Sequence, residues 1–177
     1  MTPLRPRYIK IRRYAAEILA RNGVTKPTVP VERLATAAGA KIEYRNFNQE
    51  ISGLLIRKAD TAVIGVANEQ PLQRQRFTIA HELGHLLLHD GVELRVDKHF
   101  RVNLRSSASS KAEDVEEVEA NAFAAELLMP RDFLSRDAKN LMFDIEDEEQ
   151  VAALARRYDV SRQAMTFRLM NLFGKGD

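Results

Sequence analysis

The feature that most restricts the fold of this chain is the segment RFTIAHELGHLLLH, residues 76–89, which holds three of its four histidines. On an α-helix each residue turns by about 100°, so His81 and His85 lie about 40° apart on one face. The other face is apolar and can hold the helix against a core; it carries Ile79, Leu83, Leu86 and Leu87. The segment therefore predicts a core-packed helix with one polar face.

The spacing of the first two histidines is typical of a zinc site. Two imidazoles on one helix face can reach a single zinc ion at about 2.0–2.1 Å. Glu82 projects to the side of the metal, where a carboxylate can take a proton from water. Gly84 lies beside the histidine face and would leave room for a substrate or a neighbouring strand. The alternative is an amphipathic helix with ordinary hydrogen-bonded histidines, but the clustering favours His81 and His85 as metal ligands and Glu82 as the base.

His89 does not complete this ligand set. A catalytic zinc site normally has a third protein ligand. His89 lies eight residues beyond His81, or about 12 Å along a helix axis, too far for the same ion to be reached easily. It is either a polar group at the cleft rim, binding substrate or the developing oxyanion, or a solvent-exposed residue favoured by the helix dipole. His99 is expected to be an exposed loop residue.

A second helix is expected to supply the third ligand. The sequence DVEEVEANAFAAELLMP, residues 114–130, offers several glutamates. Glu117 is the preferred ligand and Glu116 the second choice. Asn121 lies one turn after Glu117 and can orient a ligand histidine from behind. The alternative is an acidic run that simply forms a solvated helix face.

The other residues of this second helix are assigned by their helical positions. Glu119 and Glu126 are expected to point away from Glu117, towards solvent. Ala120, Ala124 and Ala125 are small enough to let this helix approach the histidine helix closely.

The two motif segments, RQRFTIAHELGHLLLH and VEANAFAAELLMP, together resemble the ImmA/IrrE family of metallo-endopeptidases. The resemblance extends to ISGLLI, AVIGVAN and the C-terminal VSRQAMTFRL. It implies a zincin-like fold in which one zinc ion is held by His81, His85 and Glu117, and Glu82 is the base. Glu117 would be a third ligand of the gluzincin type. Members of the family are intracellular and typically act on helix-turn-helix repressors. A repressor of this kind is therefore the expected protein substrate.

The order of predicted elements indicates an α+β fold. Helices are expected over residues 8–21, 31–38, 70–89, 112–129, 131–141, 146–158 and 162–173. Strands over residues 41–45, 51–57 and 62–67 predict a small antiparallel sheet.

Two units are expected along the chain. Residues 1–130 would form the zincin-like metallopeptidase domain, and residues 131–177 a helical, helix-turn-helix-like extension packed on it. Residues 90–111 are expected to form a loop or flap that gates the site. An extended substrate is expected to add to an edge strand at residues 62–67.

The composition indicates the class of protein and the compartment in which it is expected. Hydrophobic residues make up 45% and charged residues 29% of the 177 residues, which is typical of a soluble globular protein. No cysteine is present, so disulfides and cysteine-ligated zinc are excluded. The basic N-terminus is followed by no secretory apolar stretch, and no apolar run is long enough to span a membrane. A cytoplasmic protein without membrane contact is expected.

Two other functions compete with the peptidase. Residues 151–173 predict helix, short turn and helix, in which Arg157, Arg162 and Arg168 could meet DNA phosphates. Asp159 stands in the turn where glycine is commoner, and the apolar residues there favour packing on the core. Direct DNA binding is therefore a less favoured addition to the peptidase. The second competitor is a protein-interaction module with a latent zinc site.

Overall fold

The computed structural model describes residues 5–47, 51–58, 61–90, 93–98, 112–141 and 147–174. Within these residues the chain folds into helices and one sheet, which confirms the α+β class. His99 and most of the expected flap lie outside the described residues. None of the helices in these ranges has the length and apolar character needed to span a membrane.

The elements follow the predicted order closely. The first five are α1 (Tyr8–Arg21), α2 (Val31–Ala37), β1 (Ala40–Arg45), β2 (Ile51–Lys58) and β3 (Thr61–Ala67). The next three are α3 (Leu72–Leu88), β4 (Leu94–Lys98) and α4 (Ala112–Leu128). The last three are α5 (Arg131–Leu141), α6 (Glu148–Tyr158) and α7 (Arg162–Phe173). Every predicted helix is confirmed, with ends that differ by a few residues.

The sheet differs from the expected antiparallel arrangement. Its strand order is β1-β3-β2-β4, with β1 parallel to β3 and the other two pairs antiparallel. The fourth strand, β4, lies in the segment expected to be a loop. β3 is central, since it pairs with β1 on one side and β2 on the other. Its sequence TAVIGVA is almost entirely apolar and largely buried, as is typical of a strand covered on both faces.

The close contact between α3 and α4 depends on small residues. A methyl group added at Gly84 of α3 would lie 3.2 Å from Cα of Ala120 and 3.1 Å from the Phe123 ring. The space beside Gly84 is therefore filled by α4, and not by a substrate or strand as expected. The predicted approach of the two helices over Ala120 is confirmed.

The C-terminal helices are fastened to the rest of the chain by polar contacts. Asp159, in the turn between α6 and α7, has a φ of 51°, the left-handed conformation that favours glycine. Its carboxylate accepts a hydrogen bond from Gln73 at 3.0 Å and pairs with Arg76 at 3.3 Å, both on α3. In α7, Arg168 donates to Glu126 of α4 and to the carbonyl of Met129. The division of the chain near residue 130 stays a prediction.

Candidate metal centre

The metal-facing side of α3 meets one carboxylate of α4. His81 Nε2 and His85 Nε2 are 3.0 Å apart, and both rings are fully buried. Glu117 places Oε2 3.4 Å from His81 Nε2 and Oε1 3.2 Å from His85 Nε2. The structure thus brings the three predicted ligands together, and their ligand atoms can hold one metal ion.

The spacing of these three atoms fits a zinc ion. Ligand atoms at about 2.0–2.2 Å from one tetrahedral centre lie about 3.3–3.6 Å from each other. The three observed separations, 3.0, 3.2 and 3.4 Å, lie within about 0.3 Å of that range. Two imidazoles and one carboxylate are also a ligand set that zinc accepts in catalytic sites.

Protonation in this cluster suits metal binding. Burial, assisted by the charges of neighbouring His81 and Arg95, lowers the pKa of His85 to about 4, despite the opposing contact with Glu117. Burial by itself would raise the pKa of Glu117, but its contacts with the two histidines hold that pKa below its usual value. At neutral pH the site therefore offers a neutral imidazole and an ionised carboxylate, the forms that bind a metal.

Glu82 is fully buried on α3, and a glycine makes room for it. A methyl group added at Gly53 of β2 would lie 2.8 Å from Oε1 of Glu82 and 2.4 Å from Cγ2 of Thr78. Any larger residue at position 53 would force these α3 side chains to move. The strand thus fixes how closely the sheet can approach the carboxylate.

Arg95 is a residue of this site that was not predicted from the sequence. It reaches in from β4 and donates to Glu117 Oε1 at 2.6 Å and to Glu116 Oε2 at 3.0 Å. Glu116, the second-choice ligand, is thus directed to Arg95. No signal selected Arg95, because the strand that carries it had been expected to be a loop.

Comparisons with known proteins agree with this geometry. The family model of the IrrE N-terminal-like domain, peptidase M78, matches residues 35–170. The chain belongs to the M78 peptidase family. A search of the curated proteins returns no match. The match includes α3, β4 and α4, the elements that carry every residue of the metal centre described above.

One solved structure similar to this M78 chain is described as a Mycobacterium tuberculosis transcriptional regulator. The two superpose with a TM-score of 0.65 at 19% sequence identity. The similarity covers 91% of this chain but 46% of the regulator, so the M78 chain spans about half of that protein's length. At this level of identity the comparison supports the fold.

His89 is not the solvent-exposed residue of the second expectation, while its contact with substrate or oxyanion stays a prediction. It follows the last residue of α3 and is only 8% exposed. Its Nδ1 is 3.1 Å from Nδ1 of His85, and its Nε2 is 3.0 Å from Oε2 of Glu119. Both ring nitrogens are therefore engaged inside the protein, behind the metal-facing atoms of His85.

The expectation that Glu119 and Glu126 face solvent is wrong. Glu119 is 1% exposed and Glu126 is 9% exposed. Glu119 accepts hydrogen bonds from the backbone and guanidinium of Arg7, and Glu126 pairs with Arg168. Burial would raise the pKa of Glu119, but Arg7 and His89 lower it to about 2. The apolar residues of α4 lie nearly all around the helix, a pattern typical of burial on every side, and this was the available signal.

Asn121 is not seen to orient a ligand histidine through its amide oxygen. In the described part of the chain, its Oδ1 is buried and has no hydrogen-bond partner. The residue lines a cavity of about 280 Å³ between α1, α4 and α7, on the side of α4 that carries Glu126. Asn121 therefore belongs to the wall of that cavity.

Proposed function

We propose that this M78 chain is a zinc-dependent endopeptidase, with one zinc ion held by His81, His85 and Glu117 and with Glu82 as the general base. The observation that carries the proposal is the convergence of three ligand atoms within 3.4 Å of one another. The buried carboxylate that follows the first ligand in sequence supports it.

Each residue of the site has a definite task in peptide hydrolysis. Zinc, when bound, supplies a Lewis acid that polarises a carbonyl oxygen and makes water more acidic. Glu82 accepts the proton of the attacking water and delivers it to the nitrogen of the leaving amine. His81, His85 and Glu117 would hold the ion as three protein ligands, which would leave a further position for water or substrate.

The substrate strand is proposed to lie along β4. Addition to residues 62–67 is ruled out, because β3 is the central strand and both of its edges are paired. Among the strands of the described residues, β4 pairs with β2 on one side and forms an edge of the sheet. Arg95 of β4 touches Glu117, so a peptide paired with this edge would pass beside the metal centre.

The proposed substrate is a helix-turn-helix transcriptional repressor in the cytoplasm. Membership of the M78 family and the fold shared with a transcriptional regulator support a regulatory protease. A broad protease would harm its own cell, so a single cut is expected, in a linker or helix end that can become extended. Residues 99–111, part of the expected gate, lie outside the described residues and add nothing to this proposal.

Direct DNA binding by the C-terminal helices is the weaker candidate. Arg168 is occupied by its buried pair with Glu126. Arg157 pairs with Asp137, and Arg162 with Glu148. These three arginines were the proposed phosphate contacts, and each already has an acidic partner. Salt-dependent binding of a DNA duplex would be the result that revives this candidate.

Metal content tests the ligand set. Purified protein is expected to contain close to one zinc per chain, and His81→Ala, His85→Ala and Glu117→Ala are expected to lose it. Glu116→Ala is the matched control, since it removes a neighbouring carboxylate and should keep the zinc. Loss of zinc in Glu116→Ala with retention in Glu117→Ala would overturn the choice of third ligand.

Cleavage of a candidate repressor tests the enzyme. Glu82→Gln is expected to stay folded and zinc-loaded while the rate falls by about 10²–10⁴-fold, because the amide cannot accept a proton. Casein should be cut slowly or not at all. Retained cleavage in Glu82→Gln would remove the general-base role. Binding of the repressor without any cleavage by the zinc-loaded protein would favour the latent interaction module.

A further inference from the structure

A row of buried polar groups extends behind His85. The Nε2 of His85 faces His81 and Glu117, and its Nδ1 faces Nδ1 of His89 at 3.1 Å. The Nε2 of His89 in turn lies 3.0 Å from Oε2 of Glu119. The row thus connects a proposed ligand of α3 with a carboxylate on α4.

Arg7 closes the row at its far end. Its backbone N–H and Nε–H donate to Oε1 of Glu119 at 2.7 and 2.9 Å, and its Nη2 donates to Oε2 at 2.5 Å. The same Nη2 reaches the carbonyl of Leu88, the residue before His89, at 3.3 Å. Glu119 is therefore an ionised acceptor held on both oxygens, and the only role it leaves to His89 Nε2 is that of a donor.

Because Glu119 can only accept, it determines which nitrogen carries the proton in each histidine of the row. A neutral imidazole carries one proton, so His89 with Nε2–H presents a lone pair at Nδ1. The hydrogen bond between the two Nδ1 atoms then requires the proton to sit on Nδ1 of His85. This tautomer of His85 presents the lone pair of Nε2 to the space shared with His81 and Glu117.

We propose that His89 is a positioning residue for the metal centre: it accepts a hydrogen bond from His85, donates one to Glu119, and so fixes the tautomer and ring orientation of His85. Glu119 and Arg7 serve as its anchor. This inference rests on the proposed function, because it assigns His85 as a metal ligand. The role differs from the oxyanion or substrate contact expected of His89 from the sequence.

The size of the effect can be set from known metal sites. Loss of a group that orients a ligand histidine typically lowers metal affinity by about 10–100-fold. The effect should appear in zinc affinity itself, which can be measured by competition with a chromophoric chelator and needs no substrate. The absorption spectrum of the cobalt(II) form reports the ligand geometry independently.

Three substitutions at position 89 separate the two hydrogen bonds. In His89→Asn the amide oxygen is as many bonds from Cα as Nδ1, so it can still accept from His85. In His89→Gln the amide nitrogen takes the place of Nε2, so only the bond to Glu119 is kept. His89→Leu keeps neither. We expect His89→Asn to bind zinc with an affinity close to that of wild type. We expect His89→Gln and His89→Leu to bind it about 10–100-fold more weakly.

A matched pair of glutamate variants on α4 tests the anchor. Glu119→Gln turns one acceptor into a donor that opposes the donors of Arg7 at either oxygen position and so loosens the anchor of His89. At the Oε2 position it also drives His89 to carry its proton on Nδ1, which would move the proton of His85 to Nε2 and block the metal. Glu126→Gln makes the same change in a carboxylate that pairs with Arg168. Weaker zinc binding in Glu119→Gln and unchanged binding in folded Glu126→Gln are expected.

The outcomes distinguish this inference from the proposed function. Failure of the wild-type protein to bind zinc would remove both. Tight zinc binding by wild type together with equal affinities in the Asn, Gln and Leu variants would overturn the role of His89 and leave the peptidase intact. If His89→Leu does not fold, the comparison of the Asn and Gln variants and of Glu119→Gln with Glu126→Gln decides the question. An unaltered cobalt(II) spectrum in Glu119→Gln would also contradict the proposal.

Discussion

The glutamates on the two sides of α4 have different partners. On the metal-facing side, the Glu117 side chain is 39% exposed and its two oxygens face the imidazoles of His81 and His85. On the side that faces α7, both oxygens of Glu126 accept from the guanidinium of Arg168, at 3.0 and 2.6 Å. Glu117 is approached by two ring nitrogens and, at Oε1, by Arg95, while Glu126 is held on both oxygens by one guanidinium.

The difference shows what makes a glutamate available to a metal. A carboxylate engaged on both oxygens by an arginine has its charge balanced and its lone pairs used. Glu117 meets Arg95 through Oε1 alone, and its Oε2 faces His81. The oxygen of Glu117 that faces His81 is therefore placed to bind a divalent cation together with the ring nitrogens.

Removal of the metal should give the largest effect and separate the two sides. Chelation is expected to abolish cleavage, and added zinc to restore it, because the proposed reaction depends on the ion. Thermal unfolding should shift downward on chelation, since a ligand that binds the folded state stabilises it. Folded Glu126→Gln should show the same shift, and Glu117→Ala none. A chelation shift in Glu117→Ala would place the metal elsewhere.

Breaking the buried ion pair should give the next largest effect, on stability alone. Arg168→Met leaves the buried Glu126 with the more exposed Arg12, at 3.4 Å, in place of its buried cation, and is expected to cost up to about 3–5 kcal/mol in urea unfolding. Zinc content per folded molecule should not change. The double variant Glu126→Leu/Arg168→Met should recover most of the loss, because no buried charge then remains. Loss of zinc in the single variant would show that the two sides of α4 are coupled.

Crowding the metal-facing side should have a smaller effect that falls on both stability and rate. Gly53→Ala introduces a methyl group 2.4 Å from Cγ2 of Thr78 and 2.8 Å from Oε1 of Glu82. Such overpacking is expected to cost about 1–3 kcal/mol. Adding Thr78→Ser removes the methyl in the closest contact, so unfolding stability should recover. Turnover should stay low in the double variant, because Glu82 is still displaced.

A cap far from the metal should give the smallest effect. Ser161 accepts a hydrogen bond from the backbone N–H of Ala164 at 3.1 Å, at the start of α7. Ser161→Ala is expected to cost about 1 kcal/mol in unfolding experiments. Zinc affinity and turnover should equal those of wild type. A change in either would mean that the α7 side of the molecule reaches the metal centre.

The features of this protein that depend on local spacing could be predicted from the sequence. The interval between His81 and His85 places two rings on one helix face wherever that helix lies. The nearly continuous apolar sequence of β3 is typical of a central strand. This pattern could have excluded the prediction that residues 62–67 form an edge strand. The choice of Glu117 also followed from helical positions, once α4 was expected beside α3.

The pairing of the buried polar groups could not be predicted, because it depends on how distant elements pack together. The partners Arg7 and Glu119 are 112 residues apart, and Glu126 and Arg168 are 42 apart, so no local pattern links them. A helical wheel shows the direction in which each side chain points, but it does not show what lies there. Other elements cover several sides of α4, so side chains expected to face water contact arginines instead. For the same reason His89, at the end of α3, faces His85 and Glu119: the neighbouring helix encloses it, and its buried nitrogens need partners.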